Sequence, residues 1–497
     1  MLPPVLAVTL NSENLLLLGS VLIIMALVAN KLGSRFGVPF LLLALLVGIL
    51  AGPDGLGLRF DHYEQAKGLG HFAMTIILFT AGLETPFSKI KSVLWQGITL
   101  STLGLILTVV LTGLFTYYFL NGSIGGSLSL VTCLLVATIL SSTDSASVFS
   151  LLRNKKLQLK ENLDGMLEVE SGSNDPLAST LTALLVILLV NAPLLETNSG
   201  SAVLTGVAIV ALLQILVGVA VGFGVGFLAV LILKHLKLPG GALTAILVLS
   251  FGLFASGMAE FFRGNGLLAI YIAAIILGQM KTMPFKREVM DFFDGVTWLV
   301  QLIMFLMLGL LAHPSEMISE IGPALLLALF MILVARPAGV FLTLLPFKRP
   351  SYKARLFSSW VGLKGAGPIL FALYLVVADL PGATQIFNLV FIVTVMSLLL
   401  QGLTLVPVAR WLGLSIVDDT KAETFGMDIP EEMGVMRDHI VAEEDLMNGA
   451  TLRELHLPHG IRVMMVRRDG RFLVPHGSMV LKPGDHLMII LGESDDD

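Results

Sequence analysis

Residues 167–176 read Leu-Glu-Val-Glu-Ser-Gly-Ser-Asn-Asp-Pro and place three carboxylates at the start of a long apolar run. A carboxylate inside a membrane span is costly and usually marks an ion path or a proton relay. Glu170 and Asp175 are five residues apart, so they lie about 140° apart around a helix and need not share a partner. Asp175 lies deepest in the run, and we predict that it carries a cation or a proton. The alternative is a helix start, capped by its own Ser and Asn side chains, with the acids in headgroup water.

The composition is typical of a polytopic membrane protein. Of the 497 residues, 55% are hydrophobic and 13% are charged, and the mean hydropathy is +0.88. Soluble domains carry about 25% charged residues. The net charge of −5 says little because the charges are unevenly placed. The single cysteine, Cys133, lies in an apolar run, so a disulfide framework is excluded.

Apolar runs of about 17–25 residues or more predict membrane-spanning helices, and the sequence contains thirteen of them. They are 12–32, 37–53, 65–83, 89–120, 127–152, 161–191, 202–235, 240–262, 265–281, 286–312, 322–346, 352–378 and 384–411. The run at 202–235 is long enough for one strongly tilted helix or for a merged pair.

The distribution of Lys and Arg among the loops predicts the orientation. Alternate loops carry the following basic residues: Lys31, Arg35, Lys89, Lys91, Arg153, Lys155, Lys156, Lys160, Lys234, Lys237, Lys281, Lys286, Arg287, Lys348, Arg349, Lys353 and Arg355. The opposite loops carry only Arg59, Lys67 and Arg263. By the positive-inside rule the first set faces the cytoplasm. We therefore expect one helix over 202–235, an outside N-terminus and a cytoplasmic C-terminus.

The chain becomes polar and acidic near residue 415. The sequence predicts a membrane domain over 1–414, a linker over 415–438 and a small cytoplasmic α+β module over 439–497. The strands predicted for the module are Val441–Glu444, Arg462–Arg467, Phe472–Pro475 and His486–Leu491, and the predicted helix is Thr451–Leu455. Asp469-Gly470 is a hairpin turn signal.

Two of the apolar runs are interrupted in the middle. The fifth contains Ser-Ser-Thr-Asp-Ser at 141–145, and the twelfth contains Gly-Leu-Lys-Gly-Ala-Gly-Pro at 362–368. Paired breaks at corresponding positions of an inverted repeat indicate a transporter binding site. Asp144 would offset the positive ends of the half-helices, and Lys364 the negative ends. Unwound backbone at Thr143 would offer carbonyl oxygens to a cation. The alternative for the glycines is a close-packing patch beside an ordinary proline kink.

A third charge in an apolar run is Arg336. We predict that it forms a structural ion pair with Glu170. The alternative is that its side chain reaches the cytoplasmic surface.

The motif Thr143-Asp144 in one run, with Glu170-Ser171-x-x-Asn174-Asp175 in the next, resembles the monovalent cation:proton antiporters of the NhaP type. The resemblance covers about residues 10–412. It implies the sodium/proton antiporter fold: thirteen helices with inverted repeats, two crossing broken helices, and a mobile core domain beside a dimerisation domain in a homodimer. It implies Asp175 as the ion-carrying and proton-carrying carboxylate.

The resemblance also implies roles for the neighbouring residues. The Thr143 carbonyl, Ser171 and a water on Asp144 would complete a site for a monovalent cation, and Asn174 would position the broken helices. Glu170 would be held by a basic residue of the twelfth run. That run reads Gly-Leu-Lys-Gly here, where the family usually has Gly-Leu-Arg-Gly, and Lys364 lacks the planar fork of Arg.

The tail resembles the TrkA-C (RCK C-terminal) domains of potassium systems, through Leu452-Arg453-Glu454-Leu455, Leu457-Pro458 and Leu481-Lys482-Pro483-Gly484-Asp485. Such domains pair into dimers and often bind small regulators, nucleotides included. A core and tail of these kinds are similar to the CvrA-like potassium/proton antiporters. We therefore expect electroneutral potassium/proton exchange by alternating access, with proton and cation competing for Asp175, in pH and volume homeostasis.

Three alternatives remain: sodium as the cation, a ligand-gated cation channel with the same kind of tail, and an inactive transporter that serves as a sensor. The sequence shows no nucleotide-binding glycine loop, no metal-ligand cluster and no nucleophile elbow, so we expect no enzyme, no cofactor and no nucleic-acid partner. The expected partners are potassium or sodium ions, protons, the lipid bilayer and a second copy of the chain.

Overall fold

The computed structural model describes residues 8–9, 14–33, 39–60, 62–85, 87–124, 128–153, 157–191, 200–236, 238–280, 283–417, 436–441, 446, 451–454, 461–468 and 471–491. The chain divides into two compact units, Met1–Ile416 and Val417–Asp497.

The first unit consists almost entirely of helices, because uninterrupted apolar residues satisfy their backbone groups only within a helix or a sheet. Its helices are α1 (Leu15–Gly33), α2 (Phe40–Ala51), α3 (Tyr63–Glu84), α4 (Phe87–Ile90), α5 (Leu94–Leu120), α6 (Leu130–Ile139), α7 (Ser145–Arg153), α8 (Leu163–Val190), α9 (Gly200–His235), α10 (Gly241–Phe261), α11 (Gly266–Gly278), α12 (Lys286–Leu310), α13 (Ile318–Thr343), α14 (Tyr352–Trp360), α15 (Gly367–Val377) and α16 (Ala383–Trp411). Each of the thirteen predicted runs contains a helix or a pair of half-helices.

Within the described residues, nine helices are long and apolar enough to cross a membrane, and four more are apolar but only 10–17 residues long. Two of the short ones, α6 and α15, are halves of interrupted spans whose other halves are α7 and α14. The interruptions cover 140–144 and 361–366, where the sequence predicts them. Helix α9 is continuous over 36 residues, as the loop charges predict.

The helices α3, α9, α10, α11 and α12 share a hydrophobic core of their own. In it the rings of Phe79 and Phe293 meet edge to face, with centroids 5.2 Å apart. A larger core joins the interrupted spans to α2, α5, α8 and α16 and also includes residues of α3, α11 and α12. At the crossing of α2 and α12, a side chain on Gly48 would lie 2.9 Å from the Cα of Gly309, so only glycine permits this approach.

One side of the membrane unit is identified by a backbone contact. The Lys160 N–H, just before α8, donates to the Leu414 carbonyl, just after α16, at 2.9 Å. The two neighbouring short strands β3 (Leu157–Leu159) and β4 (Ser415–Val417) pair. We call this side the inner side. Another two-stranded sheet pairs β1 (Val8–Thr9) in parallel with β2 (Leu58–Arg59).

The second unit contains one antiparallel sheet among its described residues. Its strands are β5 (Met436–Ile440), β6 (Ile461–Arg468), β7 (Arg471–Leu473) and β8 (His486–Leu491), in the order β5-β8-β6-β7. Val466 and Leu487 are paired across β6 and β8 and form its buried centre with Val441 and Leu481. The predicted strands at β6, β7 and β8 are present, whereas β5 begins within the predicted linker.

The predicted helix at Thr451–Leu455 is wrong for its described residues, 451–454. The Leu452 N–H donates to the Met479 carbonyl at 2.9 Å and the Arg453 N–H to the Gly477 carbonyl at 3.0 Å. These residues form a single turn, closed by the Glu454 N–H on the Thr451 carbonyl at 2.9 Å. Val441 lies just beyond β5 and outside any strand. The rest of the predicted strand, 442–444, lies outside the described residues, as do 418–435, the turn at 469–470 and the tail at 492–497.

Candidate functional site

The two interruptions cross, and their backbones are joined directly. The Asp144 N–H donates to the Leu363 carbonyl at 2.9 Å. Gly365 lies against the Asp144 carboxylate so closely that any side chain there would overlap it. The glycine is therefore required by the close approach of the two interruptions.

Helix α8 supplies the partners that the first interruption needs. Unwound backbone at this depth must be satisfied by neighbouring groups. The Asn174 Nδ2 donates to the Ser141 carbonyl at 3.1 Å and lies 3.3 Å from the Thr143 Oγ1. The Ser171 Oγ donates to the Thr143 carbonyl at 2.7 Å and accepts from the Ser145 N–H at 3.1 Å. Both side chains therefore fix the position of the unwound segment.

Helix α16 supplies the partners for the second interruption. The Lys364 N–H donates to the Ser397 Oγ at 2.9 Å, and the Ser397 hydroxyl donates to Gln401. The Gln401 Nε2 in turn donates to the Trp360 carbonyl at 2.8 Å. Ser397 and Gln401 are both buried. This chain of hydrogen bonds holds both ends of the segment against one helix.

The two charges at the crossing lie where the half-helix ends need them. The Asp144 carboxylate accepts from the Ser147 N–H at 3.0 Å and from the Ser147 Oγ at 2.5 Å, so it caps the positive end of α7. The Lys364 Nζ lies 3.5 Å from the Ser141 carbonyl, just beyond the negative end of α6. Lys364 is 7% exposed, and its positive charge offsets that end.

Asp175 contacts the crossing through a residue that the sequence analysis did not select. The Ser142 Oγ, in the first interruption, donates to the Asp175 Oδ1. Asp175 itself is half-buried, and its neighbour Asn174 is buried. Helix α8 begins twelve residues before Asp175, at Leu163, so the alternative of a capped helix start in headgroup water is wrong.

Glu170 lies on another face of α8 and is paired with Arg336 of α13. An Arg336 Nη1 donates to the Glu170 Oε1, and the Nη2 lies 3.3 Å from the Ser358 carbonyl. Both residues are less than a tenth exposed, so the alternative in which Arg336 reaches the surface is wrong. The resemblance implies that the basic partner of Glu170 lies in the twelfth run. This expectation is wrong, because the partner is Arg336 of α13. The longer, planar guanidinium comes from α13, while Lys364 points to the end of α6.

A cavity of about 20 Å³ adjoins this ion pair and is lined by Ser141, Asn174, Arg336, Lys364 and Gln401, among others. The Asn174 Oδ1 and the Arg336 Nε, an acceptor and a donor, have no protein partner there. This volume holds about one water molecule, which needs two to four polar partners. The cavity between the ion pair and the crossing is therefore large enough and polar enough for one water molecule.

Two crossing, interrupted helices around a membrane-embedded carboxylate define a secondary transporter. The protein-family model of the transmembrane sodium/hydrogen exchangers matches residues 20–411. The family model of the TrkA-C domain matches residues 436–496. The chain belongs to the sodium/hydrogen exchanger family and carries a TrkA-C domain. It is a cation/proton antiporter and not an enzyme, which confirms the predicted class and sets aside the channel alternative.

The curated relatives include the K(+)/H(+) antiporter NhaP2 of Shewanella oneidensis, which is 37% identical over 97% of this chain and 81% of the relative. The K(+)/H(+) antiporter NhaP of Alkalimonas amylolytica is 35% identical over 96% of this chain and 80% of the relative. Among solved structures, the sodium proton antiporter MjNhaP1 from Methanocaldococcus jannaschii matches with a TM-score of 0.66 and 22% identity, over 77% of this chain and 97% of that one. This likeness confirms the predicted fold.

Proposed function

We propose that the chain exchanges potassium for protons across the bacterial inner membrane, with Asp175 as the group that both ions occupy in turn. The observation that carries the proposal is the position of Asp175. It lies within the membrane unit, beside the crossing, and accepts from Ser142 of the unwound segment. A carboxylate in such a place binds a proton or a cation, and competition for one carboxylate couples the two fluxes.

The cation site in this proposal consists of Asp175, Ser171, the Thr143 carbonyl and Asp144. Ser171 and Asn174 support it because both bind the unwound backbone. The Thr143 carbonyl accepts from Ser171 and has a second lone pair for a cation. The Asp144 carboxylate is engaged by Ser147, so its contact with a cation runs through water. Glu170, Arg336 and Lys364 support the site by fixing the helices around it.

Potassium is proposed on the strength of the relatives and the tail. Two relatives that span most of this chain are named as K(+)/H(+) antiporters, and TrkA-C domains occur in potassium systems. Sodium is the second candidate, since the Na(+)/H(+) antiporter NhaH of Halobacillus aidingensis is 29% identical over 69% of this chain. The exchange is electroneutral in this proposal, because one carboxylate exchanges one charge for one charge.

The assembly is proposed as a homodimer with an outside N-terminus and a cytoplasmic C-terminus. The alternation of loop charges supports this orientation, and it makes the inner side cytoplasmic. The TrkA-C domain is proposed to bind a small-molecule or nucleotide regulator. The core domain moves against the dimer domain to give alternating access to Asp175.

The test is proton flux in inverted membrane vesicles after addition of potassium, sodium, lithium or rubidium in turn. We expect potassium to collapse the pH gradient in the wild type, and Asp175→Asn to lose at least about 90% of this flux because no carboxylate remains to carry either ion. Thr394→Val is the matched control. Its hydroxyl donates to the Val390 carbonyl of its own helix at 2.8 Å, so flux should persist.

Each result decides a separate part of the proposal. Collapse with sodium alone would keep the antiporter and Asp175 and would replace potassium by sodium. Flux that survives in Asp175→Asn would overturn the role of this carboxylate. A voltage-sensitive dye that reports a potential during exchange would overturn electroneutrality.

A further inference from the structure

Glu168 is a membrane-embedded carboxylate that the proposed site does not use. It lies seven residues before Asp175 on α8, hence two turns and about 10 Å nearer the inner side, on nearly the same face of the helix. It is half-buried. A carboxylate on the same face as the ion carrier, between that carrier and one side of the membrane, lies where an incoming cation would pass.

The Glu168 side chain is hydrogen-bonded to Thr85 at the end of α3. The Thr85 Oγ1, at the end of α3, lies within hydrogen-bond distance of the Glu168 Oε1 and of the Ala81 carbonyl, the latter at 2.6 Å, and these two acceptors share its single proton. Thr85 is 1% exposed. Its own carbonyl accepts from the Gln279 Nε2, at the end of α11, at 2.8 Å. Thr85 is therefore fixed by contacts with α3 and α11, and its hydroxyl contacts Glu168 of α8.

An aromatic ring covers α8 between Glu168 and Asp175. The Tyr271 ring of α11 lies directly on Gly172, where any side chain would overlap the ring. The Tyr271 hydroxyl is 3.3 Å from the Glu168 carbonyl, and Tyr271 is 3% exposed. The Tyr271 ring and the Glu168 carboxylate therefore both lie on the inner side of Asp175.

These contacts connect α8, which supplies the partners of the first interruption, to α3 and α11. Helices α3 and α11 share a hydrophobic core with α9, α10 and α12, and they also contribute Met74 and Tyr271 to the larger core that contains residues of α8. On the other side of Asp175, α11 meets α8 through Asn265, whose Nδ2 donates to the Pro176 carbonyl at 2.8 Å and to the Thr180 Oγ1 at 2.7 Å. Alternating access requires α8 to leave α3 and α11 on one side at a time.

We propose that Glu168 is a further residue of the transport reaction and controls the inner access to Asp175. While Thr85 binds it, the inner path is closed by the Glu168 side chain and the Tyr271 ring. When α8 moves away from α3, Thr85 releases the carboxylate, which then attracts a monovalent cation from the inner side towards Asp175. This inference rests on the proposed function of Asp175 and on the inner side being cytoplasmic.

The test compares the two sides of the membrane. Reconstituted protein is assayed for potassium-driven proton flux, or for sodium-driven flux if potassium is inert, in inside-out and right-side-out vesicles. An acidic residue in a narrow path raises the local cation concentration by about tenfold or more. Glu168→Gln should therefore raise the half-saturating cation concentration about tenfold from the inner side and leave the outer value unchanged.

A second pair of variants separates this role from a structural one. Thr85→Val should lower the half-saturating concentration on the inner side several-fold, because the carboxylate loses its hydrogen bond to α3, and should have no effect in a Glu168→Gln background. Thr75→Val is the matched control on α3, since its hydroxyl donates to the His71 carbonyl of the same helix at 2.8 Å. Glu260→Gln is the control for removing an acid on the outer side, where Glu260 is bound to His71.

The inference is overturned if Glu168→Gln changes both sides equally or neither side, or if Thr85→Val acts independently of it. If Glu168→Gln does not fold, Thr85→Val alone tests the inference, by comparison of its half-saturating cation concentrations on the inner and outer sides. Failure of the proposed function is recognised separately. In that case Asp175→Asn retains flux, or the wild type shows no cation-dependent proton flux on either side.

Discussion

At the scale of single residues, the membrane unit distributes its buried charges among separate partners. Asp144 caps α7, Lys364 lies near the end of α6, Glu170 is paired with Arg336, and Asp175 contacts a hydroxyl. Among the described residues, Asp175 accepts a hydrogen bond from Ser142 and forms no ion pair. A carrier needs this arrangement because a permanent ion pair would compete with the transported cation.

Removal of one partner of the buried Glu170–Arg336 pair leaves the other charge uncompensated, which costs about 3–5 kcal/mol. Arg336→Ala should therefore strongly lower the thermal unfolding temperature of the detergent-solubilised protein. The measurement is the temperature at which its monomeric or dimeric peak in size-exclusion chromatography is lost. Arg410→Ala, at an exposed position near the end of α16, is the control and should behave as the wild type.

A neutralising second change should restore part of this loss. Glu170→Gln removes the uncompensated charge that Arg336→Ala creates, so the double variant should melt above the single one. Equal melting of Arg336→Ala and wild type would contradict a stabilising role for the pair. Equal melting of the single and double variants would show that the loss comes from packing and not from the charge.

At the scale of helices, the thirteen spans and both interruptions could be predicted from the sequence, because apolar length and a run of Ser, Thr, Asp and Gly are local properties. The partners of the interruptions could not. Ser142 is one of several adjacent hydroxyls, and Ser397 and Gln401 look like ordinary polar residues of an apolar helix. Their use depends on which helices pack together, and a single sequence does not show this. The predicted helix at Thr451–Leu455 fails for the same reason, since Met479 and Gly477 accept its N–H groups.

The hydrogen-bonded support of α16 gives a prediction at this scale. Gln401→Leu leaves the Trp360 carbonyl without this donor and the buried Ser397 hydroxyl without its acceptor, and an unsatisfied buried group costs about 1–3 kcal/mol. We expect a lower unfolding temperature and, because the second interruption loses its position, a lower maximal rate of exchange. Both are measured on reconstituted protein.

Thr394→Val on the same helix, already the control for the Asp175 variant, serves here as well because its hydroxyl binds only its own helix among the contacts described. A Gln401→Leu protein with normal melting and normal exchange would show that the second interruption keeps its conformation without α16.

At the scale of the whole molecule, the sequence predicts two units of different character, and each has its own core. The membrane unit depends on helices whose polar breaks are enclosed by other helices. The TrkA-C unit depends on a sheet and, among its described residues, on the ion pair Arg468–Asp485. The Arg468 Nε donates to the Asp485 Oδ1 at 2.8 Å and its Nη2 to the Oδ2 at 2.6 Å. Asp485 is 1% exposed.

This pair makes the stability of the TrkA-C unit depend on pH. Burial alone raises the pKa of Asp485, but hydrogen bonds from Arg468 and from the Lys482 N–H outweigh it and hold the pKa below its ordinary value. A carboxyl whose folded pKa is lowered stabilises the fold fully above its unfolded pKa of about 3.9. The contribution is lost as the pH falls through the lower, folded value.

We therefore expect the tail of the full-length protein in detergent to resist an acid-tolerant protease such as pepsin near pH 5 and to become susceptible as the pH falls below about 4. Asp485→Asn should be cleaved readily at both pH values, because the Arg468 guanidinium then loses its charged partner in the unit. Arg453→Gln changes an exposed side chain of the same unit and should follow the wild type. Equal resistance of Asp485→Asn and wild type at pH 5 would show that the sheet holds without the ion pair. A membrane unit cleaved in parallel would show that acid acts on the whole protein and not on the TrkA-C unit.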